Sequence, residues 1–507
     1  MLQTVLDRIS AVNDVLNGIV WGWPVIILIL GTGILLSVRT GFLQVTHFKE
    51  SLNTTIIPAL KSLGKGKKAA DPNLKSVSQF EAFSTAISGT VGTGNIIGVV
   101  SAILTGGPGA VFWMWISAFF GMVTNYSENV LGLYFRKKDD HGNLSGGSFY
   151  YIANGMKQKW LGLCAAVFCV FAAVGMSGVQ TNKISGTLSE AAAKLTGIHD
   201  TTSLRLVIGI AVAAITALII IGGIQRIGKV ASMLVPFMSL LFIIMSLLTL
   251  GRHVTAIPRA FGLIFGNAFN FRAAGGGVLG YSFATVIKKG MARGVFSNEA
   301  GLGSSVIAHS ASETREPVKQ GLWGVFEVFF DTFIICTLTS LTFLTTFDTA
   351  SLSSDMEDTA MSMSLFSTNF GSFGTAVFSV ILPLFAFTTI LAWSYYGEKA
   401  VEFLFGFLPE SKRSMTVRIF KIVYVILIAA SAAIHSELIW AVDDTFNGLM
   451  AVPNLICLVA MSGLVAKITK NYFDRKKGAD IEPMLSAYPE LNEAFKQDIR
   501  SENQEMH

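Results

Sequence analysis

The sequence predicts an all-α polytopic membrane protein with about 11 transmembrane helices, and two observations support this fold class. Hydrophobic residues make up 51% of the 507-residue chain, while charged residues make up 14%, against roughly a quarter in soluble proteins. The apolar residues are also grouped in blocks of about 20 residues, the length that crosses a bilayer. A soluble protein of this size would need far more charge to cover its surface.

The spans follow from the apolar blocks in chain order. Residues 1–20 are predicted to form an amphipathic helix at the membrane surface. A first span at 21–44 and a basic loop at 46–77 come next. Residues 469–507 form a charged cytoplasmic tail. The other predicted spans lie near 79–105, 108–136, 160–195, 203–223, 228–250, 278–310, 321–347, 368–402, 416–436 and 444–468.

Two groups of five spans, residues 78–250 and 276–468, are predicted to be inverted repeats. The leading spans of the two groups, 79–105 and 278–310, are both rich in glycine and polar residues. An odd number of helices per group forces the two groups into opposite orientations, as in many secondary transporters. Span 21–44 is then an extra helix in front of the repeats.

The positions of lysine and arginine predict the orientation in a plasma (inner) membrane, with the N-terminus outside and the C-terminus in the cytoplasm. Most basic loops fall on one side, including 46–77, Lys412–Arg418 and Arg475–Lys477. The opposite side carries the acidic residues Asp348, Asp355, Glu357, Asp358, Asp443 and Asp444. Three arginines on that outer side go against the pattern: Arg252, Arg259 and Arg272.

Several function classes are not expected. No soluble segment is long enough to form the basic face that nucleic acid needs. The four cysteines lie in apolar segments without metal-ligand or disulfide spacing. The histidines are not paired at ligand spacing and no nucleophile–base pair stands out, so an enzyme is not predicted. A near match to a phosphate-binding loop at Gly223 to Lys229 has Val230 where Ser or Thr is required. An ion gradient is therefore the expected energy source.

A glycine-rich motif, Ser-Gly-Thr-Val-Gly-Thr-Gly-Asn, occupies residues 88–95 in the leading span of the first repeat. Helix packing would use small residues at every fourth position, whereas Gly89, Gly92 and Gly94 spread around the helix. A broken helix that lines a cavity explains this spread better. Exposed N–H groups at such a break suit a substrate carboxylate, and the carbonyls of the preceding half-helix suit a cation.

The leading span of the second repeat carries a related motif at residues 296–305, Phe-Ser-Asn-Glu-Ala-Gly-Leu-Gly-Ser-Ser. Its Glu299 lies at membrane depth, where ionisable residues are costly and are candidates for function. The alternative is that Glu299 bonds the freed N–H groups of its own broken helix or pairs with a basic neighbour. His309, on the same helix, is predicted to be structural.

A hydroxyl pair, Thr388-Thr389, lies in an apolar helix. Two adjacent hydroxyls can supply hard oxygen ligands to a small cation, or each can bond a carbonyl of its own helix. Trp393 follows one turn later on the same face and either walls a pocket or packs. Glu327 and Asp331 share a face of another span. They either hold a cation between them or pair with basic residues of neighbouring helices, and the second reading is favoured.

At these motifs the chain resembles the alanine or glycine:cation symporter family. The resemblance covers nearly the whole chain, and the Asn-Glu-Ala-Gly-Leu-Gly-Ser run is its most specific part. Ser305-Val306 stands where many members have Ala-Pro. The matching runs are Gly92–Ile96, Gly146–Tyr151, Ser297–Ser304, Ile307–Ser310 and Trp393–Glu398.

The resemblance implies a leucine-transporter-type 5+5 inverted repeat and a site for each transported species. The implied substrate-binding residues are Gly92, Thr93, Gly94, Asn95, Gln180, Asn298, Gly301, Gly303, Thr389 and Trp393. One co-transported Na+ would lie at Ser88, Val91, Phe385, Thr388 and Thr389. A second sodium site in the wider fold would use Thr90 and Asn95. The expected function is sodium-coupled import of alanine or glycine by alternating access, and proton coupling is the alternative.

Overall fold

Helices dominate the computed structural model, which describes residues 2–62, 76–138, 142–196, 201–269, 283–348, 357–434 and 436–505. Arg272, Asp355, residues 63–75 of the basic loop and residues 276–282 of the second predicted repeat lie outside these ranges. Within them, β-structure is limited to an isolated bridge between Val77 and Ser312 and one antiparallel hairpin. The hairpin consists of β1 (Lys137–Lys138) and β2 (Leu144–Ser145), with Lys137 opposite Ser145.

The N-terminal part consists of two long helices followed by three short ones: α1 Leu2–Val20, α2 Trp23–Arg39, α3 Leu43–Thr46, α4 Phe48–Thr54 and α5 Ile56–Ser62. α2 carries Pro24 in its first turn, where the missing proline N–H costs no helical hydrogen bond. The Trp21 indole between α1 and α2 donates to the carbonyl of Asp444 at 3.0 Å. This part of the chain is thereby held against the second predicted repeat. The surface position of residues 1–20 stays a prediction.

The first predicted repeat begins with a helix in two pieces. Ser78 and Glu81 form a reciprocal capping box at the start of the first piece. A 3-10 turn at Thr93–Asn95 separates the pieces. The helices are α6 Gln79–Thr90, α7 Ile97–Gly106, α8 Ala110–Tyr134, α9 Ser148–Tyr150 with a π-helical extension Tyr151–Gly155, α10 Lys159–Thr196, α11 Thr201–Ile220 and α12 Gly223–Arg252.

The second predicted repeat also begins with a helix in two pieces, Phe283–Asn298 and Val306–His309. Further on, a π-helical segment, Phe329–Cys336, joins the helix Pro317–Val328 to the helix Thr337–Thr346. The long helix Asp358–Leu404 contains a kink at Gly371, whose φ is 58° and ψ is −139°. The elements after α12 are a 3-10 turn Val254–Ala256, α13 Ile257–Ala268, α14 Phe283–Asn298, α15 Val306–His309, α16 Pro317–Val328, α17 Thr337–Thr346, α18 Asp358–Leu404, α19 Glu410–Ser431, α20 Ser436–Lys476 and α21 Pro489–Glu505.

Eight helices in the described ranges are long and apolar enough to cross a membrane, by length and composition. They are Arg8–Arg39, Lys159–Ala193, Thr201–Ile220, Gly223–Arg252, Pro317–Thr346, Asp358–Leu404, Glu410–Ser431 and Leu438–Lys476. The other predicted spans are the two broken ones and α8, which contains Asn125, Glu128 and Asn129. The count of about 11 spans remains a prediction from sequence.

The centre of the bundle holds the two interrupted helices. α10 packs against α18 and α20, and α8 packs against α14 and α16. Residues 91–96 and 299–305, where the helices are interrupted, are all buried. Irregular backbone at membrane depth is tolerated only inside protein or along a cavity, because lipid offers no hydrogen-bond partner. The fold thus concentrates polar backbone at its centre.

The C-terminal tail packs against the ends of the helices. Leu485 and Phe495 form an apolar cluster with Leu144 of the hairpin, and Ala487 N–H donates to the Tyr134 carbonyl at 2.8 Å. Arg475 pairs with Glu316 at 2.8 Å. Burial raises the pKa of Glu316, and Arg475 opposes that rise.

Candidate functional site

The first break separates α6 from α7. Gly92 is extended there, with φ −126° and ψ −153°, and its N–H donates to Asn95 Oδ1 at 2.9 Å. A Cβ at position 92 would lie 2.6 Å from Thr389 Oγ1, so only glycine lets α18 come this close. The broken helix predicted from the glycine-rich motif is therefore confirmed.

The hydroxyl pair of α18 lies at this break. Thr389 Oγ1 is within hydrogen-bond distance of the Ser88 carbonyl, at 2.9 Å, and of the Phe385 carbonyl, at 3.0 Å. Thr388 Oγ1 donates to the Phe385 carbonyl at 3.0 Å. The structure shows the own-helix reading for both hydroxyls, and Thr389 also reaches across to α6; binding of a cation by the pair stays a prediction. Val91, the fifth predicted sodium ligand, is buried and caps the end of α6.

α10 brings Gln180 to the same break. The Thr93 N–H points to Gln180 Oε1 at 3.4 Å, and Gln180 Nε2 lies 3.3 Å from Met176 Sδ. The buried Thr93 hydroxyl has no hydrogen-bond partner among the described residues. On the other side, a Cβ at Gly94 would lie 3.3 Å from the Phe296 ring. N–H groups, an amide and a hydroxyl thus meet at one buried point.

Trp393 and Glu299 connect α18 to the second break. The fully buried Trp393 donates its indole N–H to Glu299 Oε1 at 3.0 Å. Ser304 Oγ donates to Glu299 Oε2 at 2.5 Å. Glu299 has a φ of 55°, which is uncommon outside glycine. Glu299 therefore accepts from an indole and a hydroxyl; bonding to backbone N–H groups of its own break, one of the alternatives left open, is not what the structure shows.

Glu128 of α8 accepts hydrogen bonds from backbone N–H groups of the second break. Gly301 N–H and Gly303 N–H donate to Glu128 Oε1 at 3.1 and 3.0 Å, and Asn454 Nδ2 donates to the same oxygen at 2.5 Å. Both glycines have positive φ, 95° and 73°. The sequence placed Gly301 and Gly303 at the substrate, yet their amides are committed to an internal carboxylate. These two amides are therefore not free to receive a substrate carboxylate in this structure.

Glu128→Ala is expected to lower the apparent melting temperature of the purified protein by several degrees. Three donors would lose a buried acceptor, and each unsatisfied group costs about 1–3 kcal/mol. Glu128→Gln is the matched control, because it keeps an oxygen acceptor of the same length and should lose less. Thermal unfolding followed by tryptophan fluorescence measures both. Equal melting temperatures for the alanine variant and wild type would contradict this role.

Asn298 and the acidic pair of the predicted span 321–347, Glu327 and Asp331, contact residues at or near the two breaks. Asn298 Nδ2 donates to Thr332 Oγ1 at 3.2 Å. Glu327 Oε2 lies 2.7 Å from His309 Nε2, which is the kind of neighbour the favoured reading expects, while the structural role of His309 stays a prediction. Asp331 does not follow that reading, because its hydrogen-bond partners among the described residues are uncharged: it accepts from Asn95 Nδ2 at 2.5 Å, from Thr332 Oγ1 at 2.8 Å and from Ser297 Oγ at 2.9 Å.

An aromatic and ionic plug fills one end of the bundle, and we define it as Lys183, Arg293, Phe296, Trp440 and Asp444. Trp440 stacks on Phe296 with 5.6 Å between ring centroids, and Arg293 and Lys183 lie 5.2 and 5.4 Å from its ring centroid. Arg293 also lies 3.7 Å from Asp444. The sequence used Asp444 only as a marker of orientation, so this plug was missed.

The opposite end of the bundle contains a cavity of about 610 Å³. The cytoplasmic halves of α18 and α19, as oriented by sequence, supply charged lining residues that include Glu398, Lys399, Arg413 and Lys421. Lys421 pairs with Glu398 at 2.9 Å. Among the described residues, the cavity lies at this end, while at the other end the plug residues pack against each other.

Comparison with known proteins places this architecture in a family. Residues 6–486 match the sodium:alanine symporter family. The sodium/alanine symporter AgcS of Methanococcus maripaludis is 39% identical over 487 residues, covering 93% of this chain and 99% of that protein. The probable sodium/glutamine symporter GlnT of Bacillus subtilis is 34% identical, covering 94% of this chain and 92% of that protein.

The fold has a solved counterpart. The crystal structure of MhsT in complex with L-phenylalanine has a TM-score of 0.57 to this chain at 12% identity, covering 78% of this chain and 98% of that one. This likeness confirms the predicted leucine-transporter-type fold class. Together with the broken helices and the match over nearly the full length, it shows that this multi-pass membrane protein belongs to the sodium:alanine symporter family.

Proposed function

We propose that the protein imports a small neutral amino acid, alanine or glycine, together with sodium. One observation carries the proposal: the Thr389 hydroxyl joins the carbonyls of Ser88 and Phe385 at the first break, within 3.0 Å. Small hard cations prefer oxygen ligands. The names of AgcS and GlnT, which refer to sodium, alanine and glutamine, support this assignment.

The proposed sodium site lies at the C-terminal end of α6. The last carbonyls of a helix lack intrahelical partners and carry the negative end of the helix dipole, so they attract a cation. The hydroxyls of α18 complete the oxygen shell from the other repeat. Sodium at this point would hold α6 and α18 together. The proposed ligands are Ser88, Val91, Phe385, Thr388 and Thr389.

The proposed substrate site lies at the same break, but it uses backbone N–H groups, whereas the sodium site uses backbone carbonyls. N–H groups before α7 receive the substrate carboxylate, because the start of a helix carries partial positive charge. Glu128 already occupies the amides of the second break, which leaves the first break for the substrate. Trp393 closes the pocket and limits side-chain size. The residues proposed to contact the substrate are Gly92, Thr93, Gly94, Asn95, Gln180, Thr389 and Trp393. Asn298, Gly301 and Gly303 are proposed only to line the pocket from the second break, since the amides of both glycines donate to Glu128.

Alternating access follows from the two unlike ends of the bundle. With the N-terminus outside, the plug lies on the outer side and the cavity on the cytoplasmic side. Sodium and substrate would join the two repeats at the breaks, and rocking of one repeat against the other would exchange the plug for an outer opening. The contact of 3.7 Å between Arg293 and Asp444 would separate in that step.

The test of this proposal is uptake of radiolabelled alanine into liposomes that contain the purified protein. An inward sodium gradient is compared with an equal potassium gradient at matched pH and membrane potential. Concentrative uptake with sodium alone supports the proposal. Equal uptake in both gradients contradicts sodium coupling, and an added pH gradient then tests the proton-coupled alternative.

Substrate size is tested in the same liposomes with unlabelled competitors. Glycine is expected to compete with labelled alanine, and glutamine is expected to compete at least about tenfold less well. The physical reason is exclusion of a longer side chain by Trp393, since overpacking costs about 1–3 kcal/mol. D-alanine serves as a size-matched control that changes only the chirality. Equal competition by glutamine and glycine would contradict a small pocket.

A further inference from the structure

The helix α1 precedes both predicted repeats, yet it contacts a residue of the plug defined above. Asn17 Nδ2 donates to Asp444 Oδ2 at 3.3 Å, and Trp21 Nε1 donates to the Asp444 carbonyl at 3.0 Å. Asn17 Nδ2 also lies 3.2 Å from Thr445 Oγ1. The last turn of α1 and the residue that follows it therefore bind two neighbouring residues of α20, and one of these belongs to the plug.

Close packing fixes the position of α1 against α20. A Cβ at Gly448 would overlap Val20 Cγ1 and would lie 3.2 Å from the Trp21 ring, so glycine is needed for this approach. Val20 and Trp21 are both buried. Gly448 follows Asp444 by four residues and shares its face of α20. The hydrogen bonds to Asp444 therefore start from a helix that is held in place by packing.

The Asp444 carboxylate is shared between α1 and α14. Its Oδ1 lies 3.7 Å from Arg293 Nη1, and its Oδ2 accepts from Asn17. Arg293 also lies 5.2 Å from the centroid of the Trp440 ring, which stacks on Phe296. A hydrogen bond to one carboxylate oxygen favours one rotamer of the side chain over the others. α1 therefore determines where the carboxylate meets Arg293.

We propose that Asn17 and Trp21 are positioning residues that stabilise the closed plug through Asp444. The proposal rests on the proposed import, with the plug on the outer side. It gives α1, which lies outside the two predicted repeats, a part in the transport cycle. Because α1 holds Asp444, opening of the plug separates Arg293 from Asp444 and leaves the contact between α1 and α20 intact.

The expected consequence is a specific change in the KM for external alanine. Substrate that arrives from the plug side binds only to molecules whose plug is open, so its apparent dissociation constant is the intrinsic one divided by the open fraction. Weakening the closed plug raises that fraction and lowers KM. General damage to the fold would instead reduce the amount of active protein, which lowers the maximal rate and leaves KM unchanged.

Sodium-driven uptake of radiolabelled alanine into right-side-out membrane vesicles measures KM and the maximal rate. Asn17→Leu keeps the size of the side chain and removes its hydrogen bonds, so it is expected to lower KM at least about threefold. Asn13→Leu is the matched control, one turn earlier on α1, because Asn13 Nδ2 has no hydrogen-bond partner among the described residues. The control variant should keep the wild-type KM.

A double variant shows whether Asn17 acts through the carboxylate. Asp444→Asn removes the charge that faces Arg293 and should by itself lower KM. Adding Asn17→Leu to Asp444→Asn should then change KM by less than about 1.5-fold, because both substitutions act on one contact. A further fall of about threefold in the double variant would place the action of Asn17 elsewhere and overturn the proposal.

The outcomes separate this inference from the proposed function. An unchanged or higher KM in Asn17→Leu, with sodium-driven uptake intact in the wild type, overturns the role of α1 and leaves the proposed function untouched. Wild-type vesicles without sodium-driven uptake overturn both. If Asn17→Leu does not reach the membrane, Trp21→Phe replaces it, since it removes the indole N–H and keeps an aromatic ring. That variant should lower KM at least about twofold, and an unchanged KM contradicts the proposal.

Discussion

Gly92→Ala is expected to reduce sodium-driven alanine uptake at least about tenfold, because overpacking of this kind costs about 1–3 kcal/mol. The added Cβ would lie 2.6 Å from Thr389 Oγ1 and 3.5 Å from Gln180 Nε2. It would therefore separate α6 from α18 at the proposed sodium site and intrude on the substrate site beside Gln180. The loss of transport is measured as the initial rate of alanine uptake under an inward sodium gradient.

The matched control is Gly98→Ala, six residues further along the same interrupted helix. A Cβ there meets nothing within 4 Å, and alanine is favoured over glycine inside a helix by about 1 kcal/mol. The control protein should transport like wild type and should be at least as stable. If Gly92→Ala also transported at the wild-type rate, the close approach of Thr389 to the break would be irrelevant to transport.

Thr389→Val is expected to raise the sodium concentration for half-maximal uptake at least about tenfold, since loss of one oxygen ligand to a buried ion costs about 1–3 kcal/mol. Valine keeps the branched shape and removes only the hydroxyl that contacts Ser88 and Phe385. Uptake measured over a range of sodium concentrations gives this value, with alanine held constant.

Thr249→Val controls for the general cost of removing a buried threonine hydroxyl. Among the described residues, Thr249 Oγ1 bonds a carbonyl of its own helix, that of Met245 at 3.0 Å, and Thr249 lies near the C-terminal end of α12. Its sodium dependence should equal that of wild type. A Thr389→Val protein with unchanged sodium dependence would remove Thr389 from the ion site.

The sequence predicts well whatever depends on local composition. Apolar blocks locate the long helices, and the spread of Gly89, Gly92 and Gly94 around a helix marks the first break. The hydroxyl pair at Thr388-Thr389 is visible for the same reason, as adjacent polar residues in an apolar run. Each of these signals lies within a few residues of the chain.

Contacts between distant segments could not be predicted in this way. Asn95 and Asp331 are 236 residues apart, and Glu128 and Gly301 are 173 apart. Several acidic residues in apolar segments were visible in the sequence. No feature of the neighbouring residues indicates that Glu128 accepts hydrogen bonds from the amides of the second break. The π-helical segment is equally hidden, since it changes which side chains face the breaks without changing the apolar pattern.

The central claim is that sodium and a small amino acid bind at one break and stabilise each other, and calorimetric binding of alanine tests it most directly. Purified protein is titrated with alanine in sodium chloride and in choline chloride at equal ionic strength. The account predicts an affinity at least about tenfold higher in sodium, with an equal gain in sodium affinity when alanine is present, because binding linkage is reciprocal. Equal alanine affinity in the two salts would contradict it.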